Sequence, residues 1–200
     1  MGGSMSDPLF EDDDEANTPL EPEEREQLIP TYITTRAELN EAEQISIAEA
    51  DRWAFSRPRD VLDDASLCQL HKRMFKSVWK WAGEFRRTPR NIGIEAYRIP
   101  MELRQLVEDA RFWVENGAYD ADEIAIRFHH RLVEIHPFLN GNGRHGRMAA
   151  DLLAKQLGRP RFTWGSANLV EPDQTRQEYV AALREADNHE ITRLLAFARS

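Results

Sequence analysis

Along most of the chain, apolar residues recur every three or four positions, the period of one face of an α-helix. From Thr35 onward, Leu39, Ala42, Ile45, Ile47, Ala50 and Trp53 fall near this spacing. Over 65–83 the stripe is Leu67, Leu70, Met74, Val78 and Trp81, and it closes at Gly83, a residue suited to helix ends. A third stretch opens at Pro100, which fits a first helical turn, and closes at Gly117. The fourth, 120–135, carries Ile124, Phe128, Leu132 and Ile135, with Asp120 and Glu123 spaced as a capping box. Helical patterns return over 147–158, 175–186 and 190–198. One segment breaks the series. Residues 84–100, "EFRRTPRNIGIEAYRIP", hold few helix formers, include Pro89 and the turn-like "RNIG", and alternate at "AYRI". They predict a β-hairpin. The expected fold class is all-α, a helical bundle with one protruding β-hairpin.

Composition changes this picture little. An apolar content of 41% and a charged content of 30% suit a soluble globular chain of 200 residues. No apolar run is long enough to span a membrane, and "MGGSMSDPLF" lacks the basic-then-apolar order of a secretory signal. Residues 1–4 read as a cloning remnant, with Met5 the natural start. A single cysteine, Cys68, excludes an internal disulfide and a cysteine-cluster metal site; it fits a buried small hydrophobe in a reducing cytoplasm. The net charge of −9 lies entirely in residues 1–26, where ten acids face one base. Residues 1–30 are therefore expected to be an acidic, mobile tail, and residues 31–200 the folded domain.

The chemistry concentrates in "EIHPFLNGNGRHGRM", residues 134–148. Pro137 forces His136 out of the α region, so the preceding helix should stop at about Ile135. Gly141 and Gly143 permit positive φ and leave amides uncovered. Such a loop entering a helix N-terminus is an anion site. Arg144 and Arg147, three apart, should share a helix face and present forked donors to phosphate oxygens. His136 can accept a proton near neutral pH. Amides, two guanidiniums and a base suit attack on a held polyphosphate.

The stretch resembles the signature of the Fic/Doc family, His-x-Phe-x-(Asp/Glu)-Gly-Asn-Gly-Arg-x-x-Arg. His136, Phe138, Gly141, Asn142, Gly143, Arg144 and Arg147 match in spacing and type. "WAGEFR", "FHHRLVEIHPF" and "YVAALREAD" are also similar to family sequence, so the resemblance runs over about residues 35–198. Within the family it looks closest to the bacterial group called mobile mystery protein B, which accompanies a helix-turn-helix partner. The resemblance implies a Fic-type helical bundle that moves AMP from ATP to a Ser, Thr or Tyr hydroxyl of a target protein. It implies His136 as the base, Phe138 as the loop anchor, and Gly141, Asn142, Gly143, Arg144 and Arg147 as phosphate ligands. Asn168 and Tyr179 would line the base pocket. The hairpin, through Arg90, Asn91, Ile92, Gly93 and Ile94, would be a flap that pairs with the target by strand addition.

One position departs from the pattern. Asn140 stands where the family has a Mg²⁺-binding acid; the resemblance implies Mg²⁺ as cofactor, and the Asn140 amide oxygen can ligate it, but weakly, since it brings no charge to that site. This leaves open transfer of another phosphate-containing group, or a non-catalytic nucleotide-binding, antitoxin-like regulator. Family members restrain themselves through (Ser/Thr)-x-x-x-Glu-(Gly/Asn). Thr34 and Glu38 have that spacing, although Leu39 replaces the final residue. The competing reading is a capping box of Thr35 and Glu38 that starts the first helix. His129, His130 and His145 lack zinc-site spacing and read as structural. A nucleic-acid role has no support beyond Arg86, Arg87 and Arg90.

Overall fold

A computed structural model describes residues 22–166 and 172–200. Its seven α-helices are α1 (Arg36–Phe55), α2 (Asp64–Phe75), α3 (Ile99–Asn116), α4 (Ala121–Ile135), α5 (Asn142–Gln156), α6 (Pro172–Asp187) and α7 (Thr192–Arg199). α4 and α5 form the central pair. α3 and α7 pack on α4, α1 and α2 pack on each other and on α5, and α6 pairs with α7. The expected helices form because local signals and buried stripes agree. Thr35 caps α1 in a full capping box with Glu38, Asp63 caps α2 through the Ser66 amide, and Gly117 ends α3 in the left-handed region at φ 58°.

Three expectations shift. The Asp120–Glu123 capping box does not form; Asp120 makes no side-chain cap, because Glu123 turns to Arg127 at 2.7 Å. α2 stops at Phe75 rather than near residue 83. The chain then turns so that Trp79 can bury its ring and donate from Nε1 to Glu43 at 2.6 Å. α5 begins at Asn142, six residues ahead of Met148, where its apolar stripe starts, so both signature arginines are helical. Ahead of α1, Ile29 donates to Val78 O and Lys80 donates to Gln27 O, which ties residues 27–29 to the turn after α2.

The β-hairpin is the main correction. Among the described residues there is no strand; 84–95 is irregular and Ala96–Arg98 is a short 3₁₀ turn leading into α3. A hairpin needs cross-strand amide–carbonyl pairs. Here the Arg86 guanidinium takes the carbonyls of Thr88 and Ile94 instead.

The core runs through Phe75, Trp79, Phe128 and Leu103, with Phe138 fully buried beneath the loop between α4 and α5. Full burial of such a ring contributes about 1.5–3 kcal/mol. No helix among the described residues is long and apolar enough to cross a membrane.

Candidate active site

His136 is the residue after α4 and adopts φ 53°, ψ 60°. A non-glycine residue persists there only where its surroundings hold it, and a single side chain supplies most of that hold. Arg86, 2% exposed, donates from Nε to His136 O at 2.6 Å and from Nη2 to Ile135 O at 3.4 Å. Its own amide donates to Pro137 O at 2.9 Å. The same guanidinium reaches Thr88 O and Ile94 O, so it ties the 84–95 loop to the end of α4. Gly93, at φ +95°, completes the contact. A Cβ built there would lie 2.5 Å from His136 Cβ, so only glycine lets the loop close on the histidine.

The His136 ring is buried rather than facing an open cleft. Burial, then the charge of Arg86, push its pKa down to about 4, against a raising contact from the Val133 carbonyl. At neutral pH the imidazole is the free base, the form that accepts a proton.

The loop beyond it is built from within. The Asn142 carboxamide, expected at the phosphates, is 3% exposed. Its Oδ1 accepts the Phe138 amide and its Nδ2 donates to Phe138 O, both at 2.9 Å. The side chain therefore fixes the shape of the loop, while its backbone opens α5. Gly141 is the helix cap at φ 77° and gives no side-chain cap. A Cβ there would sit 2.4 Å from Phe75 Cζ. With no cap, the first-turn amides of Asn142, Gly143 and Arg144 have no partner within the helix, and the dipole favours an anion in front of them. Asn140 Oδ1 accepts the Gly141 amide at 2.6 Å.

The two arginines do not point together. Arg144 leans toward α1 and α2, pairing with Glu43 Oε2 at 2.5 Å over the Phe75 ring. Arg147 leans toward α6, with Cζ 5.2 Å from the Tyr179 ring. They flank the α5 N-terminus on two sides. Beside Arg144 lies an open groove of about 640 Å³, lined by Asn40, Gln44, Ile47, Ala48, Asp51 and Arg52 of α1. Tyr179 is buried and its hydroxyl contacts His129 Nε2 at 3.0 Å; Asn168 lies outside the described residues.

Glu38 stays at the start of α1. Its carboxylate accepts from the Thr34 amide at 2.8 Å, the Thr34 hydroxyl at 3.1 Å and the Thr35 amide at 3.0 Å. The capping reading is therefore the one formed, and the α1 carboxylate that meets a signature arginine is Glu43. No sequence signal marks Glu43, nor Arg86, nor His71, which underlies the loop. His129 and His145 are core residues and His130 meets Asp187; no cluster of metal-binding side chains exists among the described residues. Cys68 is half-buried, and burial, then the charges of Asp64 and Asp63, raise its thiol to about 11, which keeps it protonated at neutral pH.

Residues 61–154 match the Fic/DOC family. Protein adenylyltransferase Fic of Drosophila grimshawi is 29% identical over 136 residues, which cover 66% of this chain and 26% of that protein. The chain thus spans about a quarter of the length of the curated relatives it matches. Among solved structures, BepC of Bartonella tribocorum with bound AMPPNP superposes with a TM-score of 0.66 at 19% identity, covering 84% of this chain and 87% of that one. A Bartonella quintana Fic domain with bound ADP gives 0.67 at 19%, covering 84% and 86%. Fic-1 of C. elegans gives 0.65 at 23%, covering 88% and 51%. The helices around the α4–α5 loop are a Fic fold, and the stretch that matches the Fic/DOC family, residues 61–154, contains that loop.

Proposed function

We propose that this protein is an adenylyltransferase that moves AMP from ATP to a side-chain hydroxyl of a target protein. The observation that carries the reading is one juxtaposition: a neutral histidine at the end of α4 and, across a short loop, uncapped amides flanked by two arginines. The relatives named as adenylyltransferases, and those solved with AMPPNP or ADP, support the donor. In this reading His136 takes the proton from a Ser, Thr or Tyr hydroxyl, and the oxygen attacks the α-phosphorus. The bond to the β-phosphate oxygen breaks and pyrophosphate leaves, its charge received by the amides of 142–144 and by Arg147. Because the loop at 84–95 covers His136, residues Arg90–Ile94 must yield for a target segment to enter. An extended segment could then pair with this flap.

Glu43 gives α1 a restraining part, since it holds Arg144 away from a phosphate. The residues present do not fit a protein-held Mg²⁺: Asn140 is uncharged and its Oδ1 is engaged by the Gly141 amide. A helix-turn-helix companion stands as a proposed partner on the sequence resemblance alone. The test is transfer from α- or γ-labelled ATP in lysate of the source organism, with wild type, His136→Ala and Asn140→Asp. Protein-bound α-label that disappears in His136→Ala is expected. γ-Label on protein would mean phosphoryl transfer, and nucleotide binding without either label would mean a non-catalytic regulator.

A further inference from the structure

His71, on α2, is completely buried, and nothing in the proposed chemistry uses it. Both its ring nitrogens are engaged. Nδ1 lies 3.0 Å from the Gly83 amide, which can only donate. Nδ1 therefore accepts, and the ring proton resides on Nε2, 3.1 Å from the Asn140 carbonyl. The tautomer follows from the chemistry of the two partners. The ring also stacks on Phe138, with centroids 3.7 Å apart and planes 15° apart, and meets His145 edge-on at 5.5 Å. One side chain thus touches the loop's anchor and its backbone at once. Burial keeps the ring well below its ordinary pKa, consistent with a neutral imidazole.

The consequence falls on the next peptide group. Across a trans peptide, the C=O of one residue and the N–H of the next point in opposite directions, and the chain has no cis bonds among the described residues. With the Asn140 carbonyl drawn to His71, the Gly141 N–H is turned away from it, to the side where Asn140 Oδ1 now accepts it. A Cβ built at Gly141 would lie 2.4 Å from Phe75 Cζ, so the loop runs close over that ring on its side-chain-free face. We infer that His71 is a positioning residue for the anion loop: its Nε2–H fixes the Asn140 carbonyl and thereby aims the Gly141 amide. What that amide would bind rests on the functional reading above; the positioning itself does not.

The test uses ¹⁵N-labelled full chain as wild type, His71→Phe and His71→Gln. Phenylalanine keeps the stack on Phe138 and removes both hydrogen bonds, whereas glutamine can restore the donor. In the wild type, nitrogen shifts should show the Nε2–H tautomer; an Nδ1–H ring would overturn the inference. Hydrogen exchange at Gly141 should quicken by about tenfold in His71→Phe, the loss of roughly one hydrogen bond, and largely recover in His71→Gln. Unchanged exchange in folded His71→Phe would also overturn it. Should that variant fail to fold, the wild-type tautomer and the glutamine variant still decide. Calorimetry with inorganic pyrophosphate should show about tenfold weaker binding in His71→Phe and within about threefold of wild type in His71→Gln. Equal affinities in all three would count against the inference. No binding even by the wild type would instead overturn the functional reading, while tautomer and exchange still decide the role of His71.

Discussion

The floor and the walls of the candidate site are built differently. The floor, made of His71, Phe138, Asn142 and His145, is buried on every side, and each polar member has a backbone partner. Its parts secure one another: Asn142 bonds the Phe138 backbone while His71 stacks on the Phe138 ring. The walls hang on single side chains. The 84–95 loop is tied to α4 chiefly by Arg86, and α1 is tied to a signature arginine by the Glu43–Arg144 ion pair. A fixed floor under singly tied walls suits the proposed reading, in which the site holds a polyphosphate rigidly and admits a protein segment from above.

Acid should break this contrast most severely. His145 is pushed down to about 4 and His129 to about 3, each by burial first, and His136 likewise to about 4. Their ordinary value is 6.5, so between that pH and about 4 the unfolded chain binds more protons than the folded one. Stability then rises with pH across the window, and it is lost as pH falls from about 6.5 toward 4. Unfolding free energies from denaturant titrations between pH 7.5 and 4.5 should decline by several kcal/mol in total, since each tenfold difference in proton affinity between the two states is worth about 1.4 kcal/mol. Because the floor holds one of these rings and adjoins the others, its loop amides should lose exchange protection together with the α4–α5 core. A flat profile would contradict neutral burial of the histidines.

Next in size is removal of the wall clamp. Arg86→Met keeps an apolar stem and leaves the carbonyls of His136, Ile94 and Thr88 without their donor. Hydrogen bonds from a charged group contribute about 1.5–3 kcal/mol, so a global loss near that size is expected. The sharper readout is local. Hydrogen exchange and proteolysis should rise at residues 87–95, while α5 keeps its protection. Equal loosening of floor and wall would remove the distinction between them.

What the sequence disclosed follows a different division, between local and long-range ties. The signature loop was legible because its chemistry is contiguous: His136, Gly141, Asn142, Gly143 and the two arginines fall within twelve positions, and Pro137 dictates where α4 ends. Caps such as Thr35–Glu38 and Gly117 were legible for the same local reason. The ties across the fold were not. Glu43 and Arg144 are 101 residues apart, and in sequence Glu43 is one more acid on a charged helix. Arg86 and His71 act on backbone carbonyls, which every residue carries, so no pairing of residue types announces them. Asn142 has the type of a phosphate ligand, but burial turns its amide inward. The "AYRI" alternation misled because a four-residue period-two pattern also fits a 3₁₀ turn entering α3, and the carbonyls a hairpin would have used were taken by Arg86.

The smallest effect tests the other wall. In Glu43→Gln the Trp79 indole keeps an oxygen acceptor, so the core contact survives, while the carboxylate facing Arg144 becomes neutral. Arg144 is about one third exposed, so solvent screens the pair and its loss should lower stability by only about 1 kcal/mol. Function should move the opposite way. A guanidinium no longer paired to α1 is available to a phosphate, so AMPPNP should bind more tightly, by a few-fold to about tenfold, the range of one charge-assisted bond after solvent competition. Arg144→Gln separates the causes, since it removes the cation that Glu43 restrains and should weaken binding in both backgrounds. If Glu43→Gln lost stability without any gain in nucleotide affinity, the α1 wall would be a structural support and the restraint assigned to it would fall, leaving the anion to the α5 amides and Arg147.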